Sequence, residues 1–262
     1  MKERISGPIV RLARRLGYEI VKADQPDPAP VDLDPAVAEL FARVRPYTLT
    51  SIERVAALRD AVRHLVGAGV DGAFLECGVW KGGSMYVIAD TLLSLGVRDR
   101  DLYLFDTFSG MPPPTDDDVD AWGTQVADYY DAAIAEPFFD YEQSQVRSLL
   151  LGTGYPEERL HFVKGMVEDT IPEHAPAAIA LCRLDTDFYV STAHEMEHLF
   201  PRIPEGGVLI IDDYGHFAGS RKAVDEYFER LGTPALLHRI DYSGRMVVVS
   251  SELAARAAAA AP

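Results

Sequence analysis

Six carboxylates stand where a chain of alternating strands and helices would do chemistry. Asp185 and Asp187 lie in "RLDTDFY", Asp212 and Asp213 in "IIDDYGH", Glu76 in "LECGVWKGGS" and Asp106 in "LYLFDTF". Each closes or follows an apolar run of strand length. Gathered at one edge of a sheet, Asp185, Asp187, Asp212 and Asp213 would repel one another, and burial would raise their pKa values. A divalent cation resolves that cost, and all-oxygen ligands select Mg2+, Mn2+ or Ca2+ over zinc. The bland alternative is a set of separate loop acids, solvated or capping helices. A second metal motif overlaps the first, because His194-Glu195-Met196-Glu197-His198 fits the zinc-protease pattern H-E-x-x-H. At 100° per residue, Ala193, Met196, Leu199, Phe200 and Ile203 share one side of that helix. His194 and His198 fall opposite, on a face turned to water, whereas a zinc protease buries it. Thr192 to Glu195 reads as a capping box opening the helix. The geometry therefore argues against zinc.

The loop after the first of these runs, Glu76-x-Gly78-x-x-x-Gly82-Gly83-Ser84, joins a strand to a helix. Its glycines let the backbone turn and approach a ligand. A nicotinamide loop would read G-x-G-x-x-G, and Trp80 stands where its second glycine should be. Glu76 suits an ammonium better than a pyrophosphate. Asp106, 30 residues on, is placed to accept hydrogen bonds from a ribose diol, or else caps a loop. A nucleoside with a cationic tail fits both acids, and S-adenosylmethionine answers that description. His216, on a loop beside the acidic cluster, either contacts a substrate or packs the loop.

These residues need a scaffold that brings them together. Strands are expected at "GAFLECG", "DLYLFDTF", "LHFVKG", "AIALCRLD" and "GGVLIIDD", and helices at "SIERVAALRDAVRHLVGAG" (N-cap Ser51), "GGSMYVIADTLLSLG", "AHEMEHLFPRI" and "SRKAVDEYFERLG". The final "ALLHRIDYSGRMVVVSS" reads as two strands around a Ser-Gly turn. The alternation implies an α/β fold, a doubly wound parallel sheet with an antiparallel strand at its end, and ligands at the carboxyl ends of the strands. An irregular insertion at 110–147 carries Trp122, Tyr129, Tyr130, Phe138, Phe139 and Tyr141. It is expected to act as a mobile lid over the acceptor, the alternative being an insertion packed on the rim or against another subunit.

Composition bounds the rest. The chain has 262 residues, 48% hydrophobic, enough for a sizeable core. A net charge of −16 argues against nucleic acid, which demands a basic face. The two cysteines, Cys77 and Cys182, lie in apolar runs and read as free buried thiols of a reducing compartment. No apolar run reaches the ~18–20 residues a membrane span requires, and no secretory leader is evident, so a cytoplasmic protein is expected. Residues 1–23 read as a basic amphipathic helix that packs on a domain or second subunit, or touches an anionic membrane. Residues 24–46 read as a Pro-rich linker and helical extension, 47–252 as the main domain, and 253–262 as a disordered tail. A homo-oligomer is expected.

Taken together, "LECGVWKGGS", "LYLFDTFSGMP", "RLDTDFY" and "GGVLIIDDYGH" followed by "GSRKAVDEYF" resemble the TylF/MycF (macrocin-type) family of sugar O-methyltransferases, over about Tyr47 to Ser250. The loop more distantly resembles that of the metal-dependent catechol O-methyltransferases. The resemblance implies a class I methyltransferase fold with a Rossmann-like seven-stranded sheet, S-adenosylmethionine, Mg2+ and a deoxysugar hydroxyl of a glycosylated small molecule as acceptor. By motif match, Asp185, Asp212 and Asp213 become the metal ligands and Asp187 the general base, with metal-bound Asp185 an alternative base. Glu76, Gly78, Val79, Trp80, Gly82 and Ser84 become the methionine-side loop, Asp106 and Thr107 the ribose side, and Gly165, Met166 and Val167 the adenine side. Thr50, Ser51 and Glu53 close over the cofactor by analogy. His216, Tyr214 and Trp122 are candidates for acceptor contact. A catechol-type O-methyltransferase and a non-catalytic methyltransferase-like binding protein remain as other readings.

Overall fold

In the computed structural model, which describes residues 32–134 and 141–261, the five apolar runs become parallel strands. They are β1 (Ala73–Cys77), β2 (Leu102–Asp106), β3 (Leu160–Lys164), β4 (Ile179–Leu184) and β5 (Val208–Ile211). All residues of β1, β4 and β5 are buried, as expected of strands covered on both faces. Two further strands, β6 (His238–Arg239) and β7 (Arg245–Val248), flank the Ser243-Gly244 turn. The sheet order is β3-β2-β1-β4-β5-β7-β6, and β7 runs antiparallel to both of its neighbours. The seven-stranded Rossmann-like sheet is therefore as expected.

The helices are α1 (Pro35–Val44), α2 (Ile52–Ala68), α3 (Gly83–Ser94), α4 (Tyr130–Ile134), α5 (Gln143–Leu151), α6 (Val167–Thr170), α7 (Tyr189–Leu199), α8 (Ala218–Leu231) and α9 (Ser251–Ala260). Ser51 caps α2, its Oγ accepting from the amide of Arg54 at 3.1 Å. Contacts join α1, α2 and α3 into one group and α7, α8 and α9 into another. The second group shares a core with Leu75, Cys77, Cys182, Leu184, Leu209 and Ile211. Side chains alternate along a strand, so the intervening Glu76, Arg183 and Ile210 turn to the opposite face of the sheet.

Three local expectations are corrected. Residues 251–260 are not a disordered tail but a helix that Ser250 caps, burying Leu253 and Ala257; alanine's high helix propensity and two apolar anchors suffice. The insertion is not irregular throughout, since α5 begins within it and buries Val146. Thr192 and Glu195 do not open α7, which starts at Tyr189. Its cap is long-range: buried Asp118 accepts from the Tyr189 amide at 2.8 Å. Thr192 and Glu195 are instead buried inside the helix. The basic helix expected at 1–23 and most of the linker lie outside the described residues, as do Phe138 and Phe139.

Candidate active site

Parallel pairing aligns the ends of the strands, and the pairing continues past them. Gly78 N donates to Phe105 O at 2.9 Å, Gly165 N to Asp106 O at 3.0 Å, Asp185 N to Cys77 O at 2.9 Å, and Asp212 N to Leu184 O at 2.9 Å. With neighbouring strands roughly 4.8 Å apart, Asp106, Gly78, Asp185 and Asp212 form one row, with Gly165 one residue beyond it and Glu76 two residues behind Gly78 on β1. The order 3-2-1-4-5 reverses between β1 and β4, where a doubly wound sheet leaves its ligand crevice. A cavity of about 490 Å3 opens there.

Four carboxylates do meet at this edge, but not as equals. Carboxylate oxygens of Asp185, Asp187 and Asp213 all lie within 4.8 Å of one another, close enough to share a cation. Asp213 Oδ2 also accepts from the Asp187 amide at 3.2 Å. Asp187 holds φ at +66°, a left-handed conformation that a non-glycine residue adopts only under restraint from its surroundings. Asp212, expected among the metal ligands, instead directs its carboxylate to two arginines, Arg54 and Arg183.

Arg183 is the residue that the sequence reading overlooked. It is 2% exposed and lies in register with Glu76 across the β1–β4 ladder. Its guanidinium donates to Glu76, to Asp185 Oδ2 at 2.6 Å, and to Asp212. The signal was present, as Glu76 and Arg183 are the charged residues of two otherwise apolar runs. Only the strand register shows that they pair.

The electrostatics follow from enclosure. Burial opposes the charge on Arg183, but Asp185, Asp212 and Glu76 outweigh it and raise its pKa well above the usual arginine value. Burial pushes Glu76 up to about 8, with Arg183 pulling the other way. Asp187 is pushed up to about 8, first by burial and then by the charge of Asp185. Burial raises Asp185 to about 6 against the pull of Arg183. Asp185 is 26% exposed at its side chain, but toward a cavity walled by protein, so desolvation still dominates. Asp213 rises well above the carboxylate range, by burial and then by Asp187. Two guanidiniums thus face Glu76, Asp185, Asp187, Asp212, Asp213 and Asp241, and negative charge is left over for bound cations to balance.

The cofactor loop is shaped by close approach. A Cβ on Gly78, whose φ is +79°, would lie 1.9 Å from Asp185 O. Trp80 has φ +46°, the conformation a glycine there would adopt without strain. Gly78, Val79, Trp80 and Ser84 line the cavity. Gly82 does not; it caps α3 at φ +88° and faces Val146. Glu76 lines the cavity, and its Oε2 is buried without a hydrogen-bond partner. That orphaned oxygen fits an ammonium group, which supplies both a donor and a charge. Asp106 lines the cavity too, but protein donors already occupy its carboxylate. It accepts from Val79 N at 2.7 Å, Trp80 N at 2.9 Å, Phe108 N at 2.6 Å and the Tyr141 hydroxyl at 3.0 Å. A carboxylate offers about four lone-pair sites, so a ribose hydroxyl would replace one of these, and the Tyr141 hydroxyl is the donor that is free to turn.

Thr107, Gly165, Met166 and Val167 line the same cavity. Ser51 does not; its hydroxyl donates to Asp241 Oδ2 at 2.8 Å. Thr50 and Arg54 line it, and Glu53 does not. Of the acceptor candidates, His216 lines the cavity, with Tyr242 hydroxyl 3.2 Å from its Nδ1. Burial lowers its pKa, against Asp120. Trp122 is 80% exposed and reaches the site only through an edge contact with His216, ring centroids 5.3 Å apart. Tyr214 turns away, its hydroxyl donating to Asp225 at 2.6 Å and its ring under Arg245. From the insertion, Met111, Tyr129, Tyr130, Ile134 and Tyr141 contribute to the wall.

The two histidines of H-E-x-x-H stay side by side, ring centroids 4.4 Å apart, while Glu195 turns into the core. His194 Nε2 lies 2.9 Å from Ile171 O, so it is not simply turned to water. Glu195 is fully buried and accepts from Thr186 Oγ1 at 3.1 Å. Burial raises its pKa well above the carboxylate range.

The macrocin-O-methyltransferase (TylF) family model matches residues 41–247. The mycinamicin III 3''-O-methyltransferase of Micromonospora griseorubida is 32% identical over 198 residues, covering 76% of each chain. The demethyldecarbamoylnovobiocin O-methyltransferase of Streptomyces niveus is 29% identical over 76% of this chain and 74% of its own. The solved structure of the O-methyltransferase NovP superposes with a TM-score of 0.69 at 27% identity, over 78% of this chain and 82% of NovP. The calicheamicin methyltransferase CalS11, 18% identical with a TM-score of 0.60 over 86% of this chain and 99% of its own, shares the fold. The chain therefore belongs to the macrocin-O-methyltransferase family and is an S-adenosylmethionine-dependent O-methyltransferase.

Proposed function

We propose that this methyltransferase acts on a hydroxyl of a deoxysugar in a glycosylated natural product, one of a vicinal diol, with the help of a divalent cation, Mg2+ by preference. The observation that carries the metal reading is the convergence of Asp185, Asp187 and Asp213 at the mouth of β4 and β5. The donor set is all oxygen, which suits Mg2+ or Mn2+. Asp185 and Asp213 would hold the ion, with Asp212 joining them once released from its arginines. The relatives' names support the acceptor class, since they are sugar-modifying enzymes of antibiotic pathways.

When bound, the cation supplies Lewis acidity that lowers the pKa of a sugar hydroxyl. S-adenosylmethionine, when bound, supplies a methyl group on a positively charged sulfur. Everything else is work for the protein. Glu76 holds the cofactor ammonium through its unpartnered oxygen. Asp187 takes the hydroxyl proton; a cation held beside it would lower the raised pKa of its carboxyl and keep it ionised, and such general-base help is typically worth ~10²–10⁴-fold. Asp106 holds Val79 and Trp80 in the turn that brings backbone against the cofactor. Walls from Tyr129, Tyr130 and Tyr141 exclude water, and fixing both reactants contributes much of the remaining acceleration.

Incubation of the enzyme with S-adenosylmethionine and a panel of glycosylated acceptors and catechols, with and without EDTA, tests the reading. Methylation of a sugar hydroxyl that stops on chelation and returns with Mg2+ is the expected result. Preference for catechols would reassign the acceptor, and activity surviving complete chelation would remove the metal. No helix among the described residues is long and apolar enough to cross a membrane. A cytoplasmic homo-oligomer is the form we propose.

A further inference from the structure

Arg54 has no part in the chemistry described above, yet it stands inside the site. It rises from the first turn of α2 and lines the cavity with its side chain only 13% exposed. One end of its guanidinium, Nη1, pairs with Asp212 Oδ2. Its Nε lies 2.9 Å from Asp241 Oδ2, but the geometry is too poor for a hydrogen bond, and that nitrogen is buried without a partner. Arg54 is thus committed to Asp212 and only electrostatically attracted to Asp241.

Asp241 is rigidly set. Its Oδ1 accepts from Ser243 N at 2.9 Å and Gly244 N at 2.7 Å, and its Oδ2 from Ser51 Oγ at 2.8 Å. It could take a full hydrogen bond from Arg54 with little motion of its own. The path of the side chain is also prepared. A Cβ on Gly244 would lie 3.0 Å from Arg54 Cδ and 3.2 Å from Cγ, so the turn between β6 and β7 is bare where the arginine stem crosses it.

Charge sets the consequence. Asp212 is flanked in sequence by Asp213 and in space by Asp185, which belong to the oxygen cluster proposed to hold a cation. Asp212 alone among the four turns its carboxylate from the cluster to two guanidiniums. Arg183 is locked by three carboxylates and 2% exposed. Arg54 is the cation at Asp212 that has somewhere else to go.

We propose that Arg54 occupies Asp212 in place of the metal in the unloaded enzyme, and that a divalent cation enters by exchange, Arg54 swinging to Asp241 as Asp212 turns inward. This rests on the metal reading above. It gives Arg54 two roles. It keeps the empty site from collapsing under its own negative charge, and it weakens metal binding by the cost of breaking its pair. Because Ser51 caps α2 and also donates to Asp241, the exchange adjusts the start of α2, beside cavity residues Thr48 to Thr50.

The test measures Mn2+ binding directly on the cofactor-free enzyme, from the free Mn2+ signal in electron paramagnetic resonance. Arg54→Met is expected to bind Mn2+ on the order of tenfold more tightly than the parent, since a charge-assisted pair no longer has to be broken. Its melting temperature should be lower without metal and should rise further on saturation with Mn2+ than the parent's. Arg54→Lys keeps a charge that cannot span both carboxylates, and should give a smaller gain, so the idea stays testable if the methionine variant does not fold. Parent and variants binding Mn2+ equally, or variants binding more weakly, would overturn the exchange while leaving the metal reading intact. A parent enzyme that binds no Mn2+ and methylates in EDTA overturns the metal reading, and the exchange with it.

Discussion

The ion network around Arg183 makes a quantitative claim. Replacing Arg183 with Met keeps the length and apolar stem of the side chain but removes its charge. Glu76, Asp185 and Asp212 then lose a donor at once, and Glu76 is 1% and Asp212 3% exposed. Removing one partner of a buried ion pair costs ~3–5 kcal/mol, because an uncompensated charge stays behind. The three bonds share one guanidinium, so their costs do not add, and Glu76 can answer by protonating. About 3–5 kcal/mol for the whole substitution is therefore the expectation. For a domain of this size, each kcal/mol shifts the melting temperature by ~2–4 °C, giving a drop of roughly 6–20 °C. Differential scanning fluorimetry of the cofactor-free protein at pH 7.5 reads it directly. The deficit should shrink at pH 5.5, below the folded value of about 6 for Asp185, where a protonated Asp185 no longer needs the guanidinium. A variant melting within about 2 °C of the parent at both pH values would refute the reasoning and mean that water already solvates these carboxylates.

Asp187→Asn should retain S-adenosylmethionine affinity within a few-fold yet lose ~10²-fold or more in turnover, as removal of a general base does; calorimetry and a methyl-transfer assay separate the two, and near-normal turnover would reject the role. The ligand-free protein should lose stability as pH rises. Glu76 has an ordinary value of 4.5 and a folded value of about 8, so between these the folded state holds a proton that the unfolded state has released, and stability falls with pH. Asp101 and Asp241, whose values are lowered, act below that window. Melting temperatures from pH 5 to 9 check the slope, and S-adenosylmethionine, by bringing an ammonium to Glu76, should flatten it and release protons on binding. Gly78→Ala places a methyl 1.9 Å from Asp185 O at φ +79°. It should abolish cofactor binding or soluble folding, and a variant that binds normally would show that the two strand ends can move apart.

Much of this protein was legible in its residues. Continuous apolar runs with glycine between them specify buried parallel strands, and acids at their carboxyl ends mark the ligand edge, because the crevice of a doubly wound sheet opens there. Ser51 as a helix cap and the Ser-Gly turn before β7 are local chemistry, decided within three or four residues. Other features required contacts that no local pattern encodes. The start of α7 is set by Asp118, a residue 71 positions upstream, so a capping box written in Thr192 and Glu195 was overruled and both were drawn into the core. Tyr214 stands next to Asp213 in sequence yet points to Asp225, because adjacent side chains leave the backbone in different directions. Sequence named four aspartates as a cluster. The β1–β4 register and the reach of α2 decided that Arg183 and Arg54 share it, leaving Asp185, Asp187 and Asp213 to face the cavity together. Charge balance in a buried site depends on which groups meet in space, and that is a property of the folded sheet rather than of spacing along the chain.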